Sequence, residues 1–81
     1  MHYGNIDGDT AAGRVYRVLR QRRGEWVGGW DLSMAARTTA VSTRVSEVRR
    51  QLPEGEILDV KQEGREFYYR LEQAGQLALF A

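Results

Sequence analysis

The chain has 81 residues, no cysteine and a formal net charge of +1. That length sets one domain near the lower limit at which a single apolar core suffices. The missing thiols exclude a disulfide framework and a thiolate metal site, and they suit a reducing cytoplasm, the expected location. No apolar run approaches the ~20 residues that a bilayer span needs.

In chain order, Met1 to Asp9 lacks the basic start and apolar stretch of a signal peptide and reads as a loose acidic arm over residues 1–9. Asp9 or Thr10 can then cap a helix that runs to about Arg22. Ala11, Ala12, Val15, Val18 and Leu19 fall on one face of it, and Arg14, Arg17, Arg20 and Gln21 on the other. That arginine face suits a phosphate backbone, and it equally suits a core helix kept in water. Arg23-Gly24 ends the helix, and Glu25-Trp26-Val27 is short enough to be only a brief strand. Trp26 and Trp30 flank Gly28-Gly29 and are expected to pack in the core rather than stack on bases.

The stretch that follows organises the chain. A helix from about Trp30 to Ala36 places Leu32, Ala35 and Ala36 inward. A tight joint, Arg37-Thr38-Thr39, supplies hydroxyls able to cap the next helix. That helix, about Ala40 to Leu52, sets Val41, Val45, Val48 and Leu52 in one apolar stripe until Pro53 and Gly55 stop it. Its other faces carry Ser42, Thr43, Arg44, Ser46, Glu47, Arg49 and Arg50. Short hydroxyls near a helix start allow close approach to a DNA major groove, and arginines reach guanine edges or phosphates. An ordinary solvated helix would look similar, and the neighbouring elements decide between the two.

Beyond Pro53-Glu54-Gly55 the apolar period changes to two. Leu58 and Val60 share one face of the first run, and Phe67, Tyr69 and Leu71 share one face of the second. Glu63-Gly64-Arg65 between them predicts a β-hairpin. Charge is just as unevenly spread. Residues 14–50 hold nine Arg against Glu25, Asp31 and Glu47, a net of +6, while residues 51–81 carry −3. A basic block beside an acidic one can build a basic face on a nearly neutral protein.

This order of helix, strand, helix, helix, strand, strand resembles the winged helix-turn-helix DNA-binding fold, an α+β class, over residues 10–71. The runs Trp26-Val27-Gly28-Gly29-Trp30-Asp31-Leu32 and Arg44-Val45-Ser46-Glu47-Val48-Arg49-Arg50 look like small winged-helix proteins of bacteriophages and prophages. The resemblance implies double-stranded DNA as partner, for a transcriptional regulator or a replication accessory factor. It makes 40–52 the recognition helix, with Thr43, Ser46 and Arg50 toward bases and Ser42, Arg44 and Arg49 toward phosphates. Arg37 would add a backbone contact, and Lys61 and Arg65 would sit on the wing. Glu63 and Glu66 depart from a strongly basic wing.

The tail, residues 72–81, ends in Gln76-Leu77-Ala78-Leu79-Phe80-Ala81. It can pack on the core, or pair two copies as a homodimer. It is also similar to the bacterial sliding-clamp-binding pentapeptide, with only the middle residue changed. That likeness implies a polar anchor at Gln76, buried contacts at Leu79 and Phe80, and Leu77 packing beside them. Catalysis is not expected and no cofactor or metal is implied. His2 is the sole histidine, and the sequence has neither a glycine-rich phosphate motif nor metal-ligand spacing.

Overall fold

A computed structural model describes residues 10–73. The elements are α1 (Ala11–Gln21), β1 (Val27–Gly28), α2 (Gly29–Ala36), α3 (Val41–Arg50), β2 (Glu56–Glu63) and β3 (Glu66–Gln73). The architecture is α+β: three helices lie against an antiparallel sheet of strand order β1-β3-β2. Their order is the expected one. Helices α1 and α3 stop one and two residues short of their expected ends, α2 ends at Ala36 as expected, β1 begins at Val27 rather than Glu25, and β3 runs on to Gln73. The arm 1–9, and with it the option of an Asp9 cap, lies outside the described residues.

Local chemistry accounts for each boundary. Thr10 caps α1 by accepting the Gly13 N–H at 2.9 Å. Ala12, Val15, Tyr16 and Leu19 then occupy the i, i+3, i+4, i+7 stripe and are all buried. Val18 is only half-buried at the core margin, and Tyr16 takes the inward place beside Val15. Gly24, at φ +86°, turns the chain so that its N–H reaches Leu71 O at 3.0 Å. In α3 the expected stripe holds, with Val45 and Val48 buried and Val41 and Leu52 packed at the edge. In α2 only Leu32 and Ala36 are buried; Ala35, expected inward, is exposed.

Strand β3 is the centre of the sheet. It pairs Leu71 with Leu58 and Tyr69 with Val60 on one side, and Tyr69 with Val27 on the other. Alternation puts Leu58, Val60, Phe67, Tyr69 and Leu71 on the face toward the helices, as expected. Only the half away from the hairpin tip is covered: Leu58, Tyr69 and Leu71 are buried, whereas Val60 and Phe67 are 42% and 45% exposed. Val15, Leu19, Val27, Leu32, Val48 and Leu71 form the driest part of the core. Each such side chain contributes about 1.5–3 kcal/mol by burial.

The tryptophans depart from expectation. Trp30 is 71% exposed at the first turn of α2. Trp26 is half-buried against the sheet face opposite the helices, with Arg70 Cζ 4.3 Å and Lys61 Nζ 4.6 Å from its ring centroid. Cations over an indole replace the core packing expected there.

A polar cluster closes the far end of the sheet. Arg23 pairs with Glu56 at 2.9 Å and donates to the Gln73 side chain, while the Tyr16 hydroxyl donates to Glu56 Oε1 at 2.9 Å. Burial, then the hydrogen bond to Glu56, push the Tyr16 hydroxyl up to about 12. An ionised phenolate would lose its donor and face a carboxylate. Because the folded value lies above the ordinary one of 10.0, this contribution is complete below pH ~10 and is lost as pH rises toward 12. Tyr16→Phe is therefore expected to cost about 1 kcal/mol at neutral pH, because Glu56 Oε1 loses its donor while Arg23 still holds Oε2. It should also flatten the fall in stability between pH ~10 and 12, read by urea unfolding across that range.

Candidate nucleic-acid interface

The joint between α2 and α3 sets where α3 points. Arg37, the C-cap of α2, is the only described non-glycine residue with positive φ, at 55°. Left-handed geometry lets the chain leave α2 sharply. Ser33 holds that turn twice, its carbonyl accepting the Thr38 N–H at 3.1 Å and its hydroxyl donating to Thr38 O. From α1, Arg14 Nε donates to Ala36 O at 2.8 Å. A guanidinium expected on a solvated or phosphate-facing stripe thus serves as a clasp on the last carbonyls of α2. Thr38 Oγ1 accepts the Ala40 N–H at 3.3 Å, one residue before α3 begins. The N-cap of α3 is Ala40, with no side-chain cap, so the threonines do not close this helix as expected.

The leading amides of α3 are therefore open, at the positive end of the helix dipole. Ser42, Thr43 and Ser46 are all exposed there. Arg50 is exposed on the last turn and makes no ion pair among the described residues. Arg44 and Arg49 are engaged within the fold. Arg44 pairs with Glu47 at 3.1 Å, which neutralises the one acid on α3. Arg49 donates to Leu58 O at 2.9 Å and ties α3 to β2. Its alkyl stem also lines a small groove with Ser42, Ser46, Val60 and Phe67.

The hairpin faces the start of α3. Glu63 and Glu66 stand opposite each other across the turn, an arrangement that costs stability unless each charge has another partner. Both have one: Glu63 pairs with Lys61 at 3.1 Å, and Glu66 Oε2 accepts the Trp30 N–H at 3.1 Å. Glu66 thereby caps α2 from another element, in the position where Gly28 and Gly29 leave α2 without a side-chain cap. A Cβ on Gly28 would lie 2.8 Å from that carboxylate and 3.3 Å from Tyr68 Cε2, so a side chain there would push Glu66 off its place at the start of α2. Gly64, at φ +64°, makes the tight turn and leaves Arg65 exposed at the tip without an ion pair among the described residues.

An open groove of about 990 Å³ lies between the hairpin tip and the α2–α3 joint; Trp30, Ser42, Arg65 and Phe67 are among its walls. The fold so brings Ser42 and Arg65 to one groove and Ser42 and Ser46 to the smaller groove, with Thr43 and Arg50 further round the exposed surface of α3. Lys61 lies apart, on the sheet face opposite α3 and over Trp26 and Tyr68. Arg37 sits at the end of α2. Phe67 and Trp30 were missed as surface residues; each fits an apolar pattern, and nothing in the sequence says where the core stops.

The chain matches no family model, no curated protein and no solved structure.

Among the described residues no cluster of three potential metal ligands occurs, and no helix is long and apolar enough to cross a membrane. Gln76, Leu77, Leu79 and Phe80 lie outside the described residues. The geometry of the joint carries one prediction. Left-handed backbone costs a β-carbon-bearing residue about 1 kcal/mol, so Arg37→Gly should raise the midpoint of thermal unfolding by a few degrees. A lowered midpoint would mean that the arginine side chain outweighs its own backbone strain.

Proposed function

We propose that this domain is a winged helix-turn-helix that binds duplex DNA, in a regulator of transcription or an accessory factor of replication in a phage or bacterium. In this reading α3 is the recognition helix and the β2–β3 hairpin is the wing. The observation that carries it is the combination at the start of α3. Uncapped amides and the exposed hydroxyls of Ser42, Thr43 and Ser46 stand at or beside a groove whose other wall holds Arg65, which has no ion pair among the described residues, together with the engaged Glu63 and Glu66. A phosphate in that groove meets helix amides on one side and a guanidinium on the other. Thr43, Ser46 and Arg50 are then free to reach base edges.

The engaged arginines support the same reading. Arg44 silences Glu47, and Arg49 fixes the angle of α3 against β2, so both prepare the surface. The wing acids, which depart from a strongly basic wing, are held by Lys61 and by the α2 N-terminus.

A second reading concerns the tail. The run Gln76-Leu77-Ala78-Leu79-Phe80 is similar to the sliding-clamp-binding pentapeptide, which would make the chain an adaptor that brings its domain to a replication clamp. DNA binding and clamp binding are compatible.

Fluorescence anisotropy on random-sequence duplex DNA, over roughly 50–200 mM salt, tests the first reading. Micromolar binding that falls linearly on log–log axes is expected, and Arg65→Ala should lower that slope by about one. Arg50→Ala should cost ~1–3 kcal/mol on a selected site and much less on random DNA. Absence of binding at the lowest salt would overturn the assignment. For the second reading, the full chain should bind immobilised bacterial clamp, and Phe80→Ala should weaken it by about 2 kcal/mol or more. Equal binding of the two chains would remove the tail from that role.

A further inference from the structure

Helix α2 buries only Leu32 and Ala36, so most of its surface is open. Trp30 and Met34, one turn apart, are 71% and 64% exposed, more than any other large apolar side chain described. Ala35 beside them is small and exposed. No single exposed tryptophan needs explaining, but an indole and a thioether stacked on one helix face form a continuous apolar strip. The charges around the strip indicate what covers it. Asp31 sits in the first turn of α2 and Arg37 at its C-cap; both are exposed, and neither has an ion-pair partner among the described residues.

We infer that this face pairs with the same face of a second copy of the chain, through an antiparallel, two-fold contact between the two α2 helices. Antiparallel docking sets Asp31 of each copy beside Arg37 of the other. In that register Met34 of each copy meets its own counterpart at the centre, and a Trp30 indole flanks the contact on either side. A two-fold contact makes every such pairing twice, so one helix supplies both halves of the complement. The opposed helix dipoles favour the same orientation. Parallel docking would bring Asp31 to Asp31 and Arg37 to Arg37. Two tryptophans and two methionines bury less than the ~1,200 Å² typical of stable complexes. The dimer is therefore weak, with a dissociation constant on the order of 100 μM. The pairing does not rest on the DNA reading; were both true, one unit would present two copies of α3.

The test is sedimentation equilibrium of the full chain without DNA, from about 10 to 500 μM, a range chosen to bracket that constant. Wild type should show a monomer–dimer equilibrium. Trp30→Ala should weaken it at least about tenfold, a loss that matches removal of a buried aromatic anchor. Asp31→Arg and Arg37→Asp should each be monomeric alone, because each sets like charges together twice. An equimolar mixture of the two should dimerise again, since both pairs then become opposite in sign. Restoration in the mixture cannot come from misfolding or from unspecific adhesion. A wild type that stays monomeric throughout, single variants that dimerise like wild type, or a mixture that stays monomeric would each overturn the inference. So would Trp30→Ala weakening DNA binding by a protein that never dimerises, because the face would then belong to DNA.

Discussion

The position of α3 depends on one sharp turn, and the turn depends on a left-handed arginine. A β-carbon-bearing residue at φ 55° is held there only when its surroundings leave no alternative. Here Ser33 takes both the N–H and the carbonyl of Thr38, and Arg14 reaches across from α1 to the carbonyl of Ala36. Helices α1 and α2 therefore both hold the joint. Loosening any of these bonds would free α3 to swing relative to α2, and the exposed hydroxyls would lose their relation to the hairpin. Arg49 supplies the opposite anchor on β2, so α3 is fixed at its start by backbone geometry and near its end by a side chain.

The second organising principle is local neutralisation. A chain of net charge +1 cannot offer an anion a strong overall field. What it can do is decide which charges remain unspent. Glu47, Glu63, Glu66 and Glu56 are taken up by Arg44, Lys61, the α2 amides and Arg23 respectively. Exposed pairs of this sort add little stability, typically below about 1 kcal/mol each. Their effect is on the pattern of the surface, since among the described residues they leave the guanidinium groups of Arg50 and Arg65 without an ion pair. Counting residues by type gives no hint of that sorting.

Much of the fold was legible because apolar spacing reports buried faces directly. The stripe Val41, Val45, Val48, Leu52 and the alternation Leu58, Val60 and Phe67, Tyr69, Leu71 place α3 and the hairpin without further information. Spacing says which side of an element faces inward, but not how far along its length the neighbour reaches. Val60 and Phe67 lie on the inner face and yet beyond the edge of the core, and Trp30 and Ala35 escaped for the same reason. Tyr16 was overlooked because its polar tip hides an apolar ring; only the position of Glu56 across the fold shows that the hydroxyl could be satisfied. At the candidate site, the residue types on α3 were readable, whereas their division into exposed groups and structural ties was not. Arg44, Arg49 and Arg50 look alike in a string of letters. Their partners among the described residues, three and nine positions away for Arg44 and Arg49 and none for Arg50, separate them.

The two tryptophans stand four residues apart and in opposite surroundings. Trp26 is clamped beneath the charged ends of Lys61 and Arg70, while Trp30 projects into water. Indole emission shifts with the polarity and nearby charge that the ring meets, so these side chains form two separate optical channels in the native chain. Trp26 reports on the integrity of the sheet and falls silent about what touches α2. Trp30 reports on what touches α2 and the groove beside it. Light emitted by the unlabelled protein can thus distinguish a change in folding from the arrival of a partner.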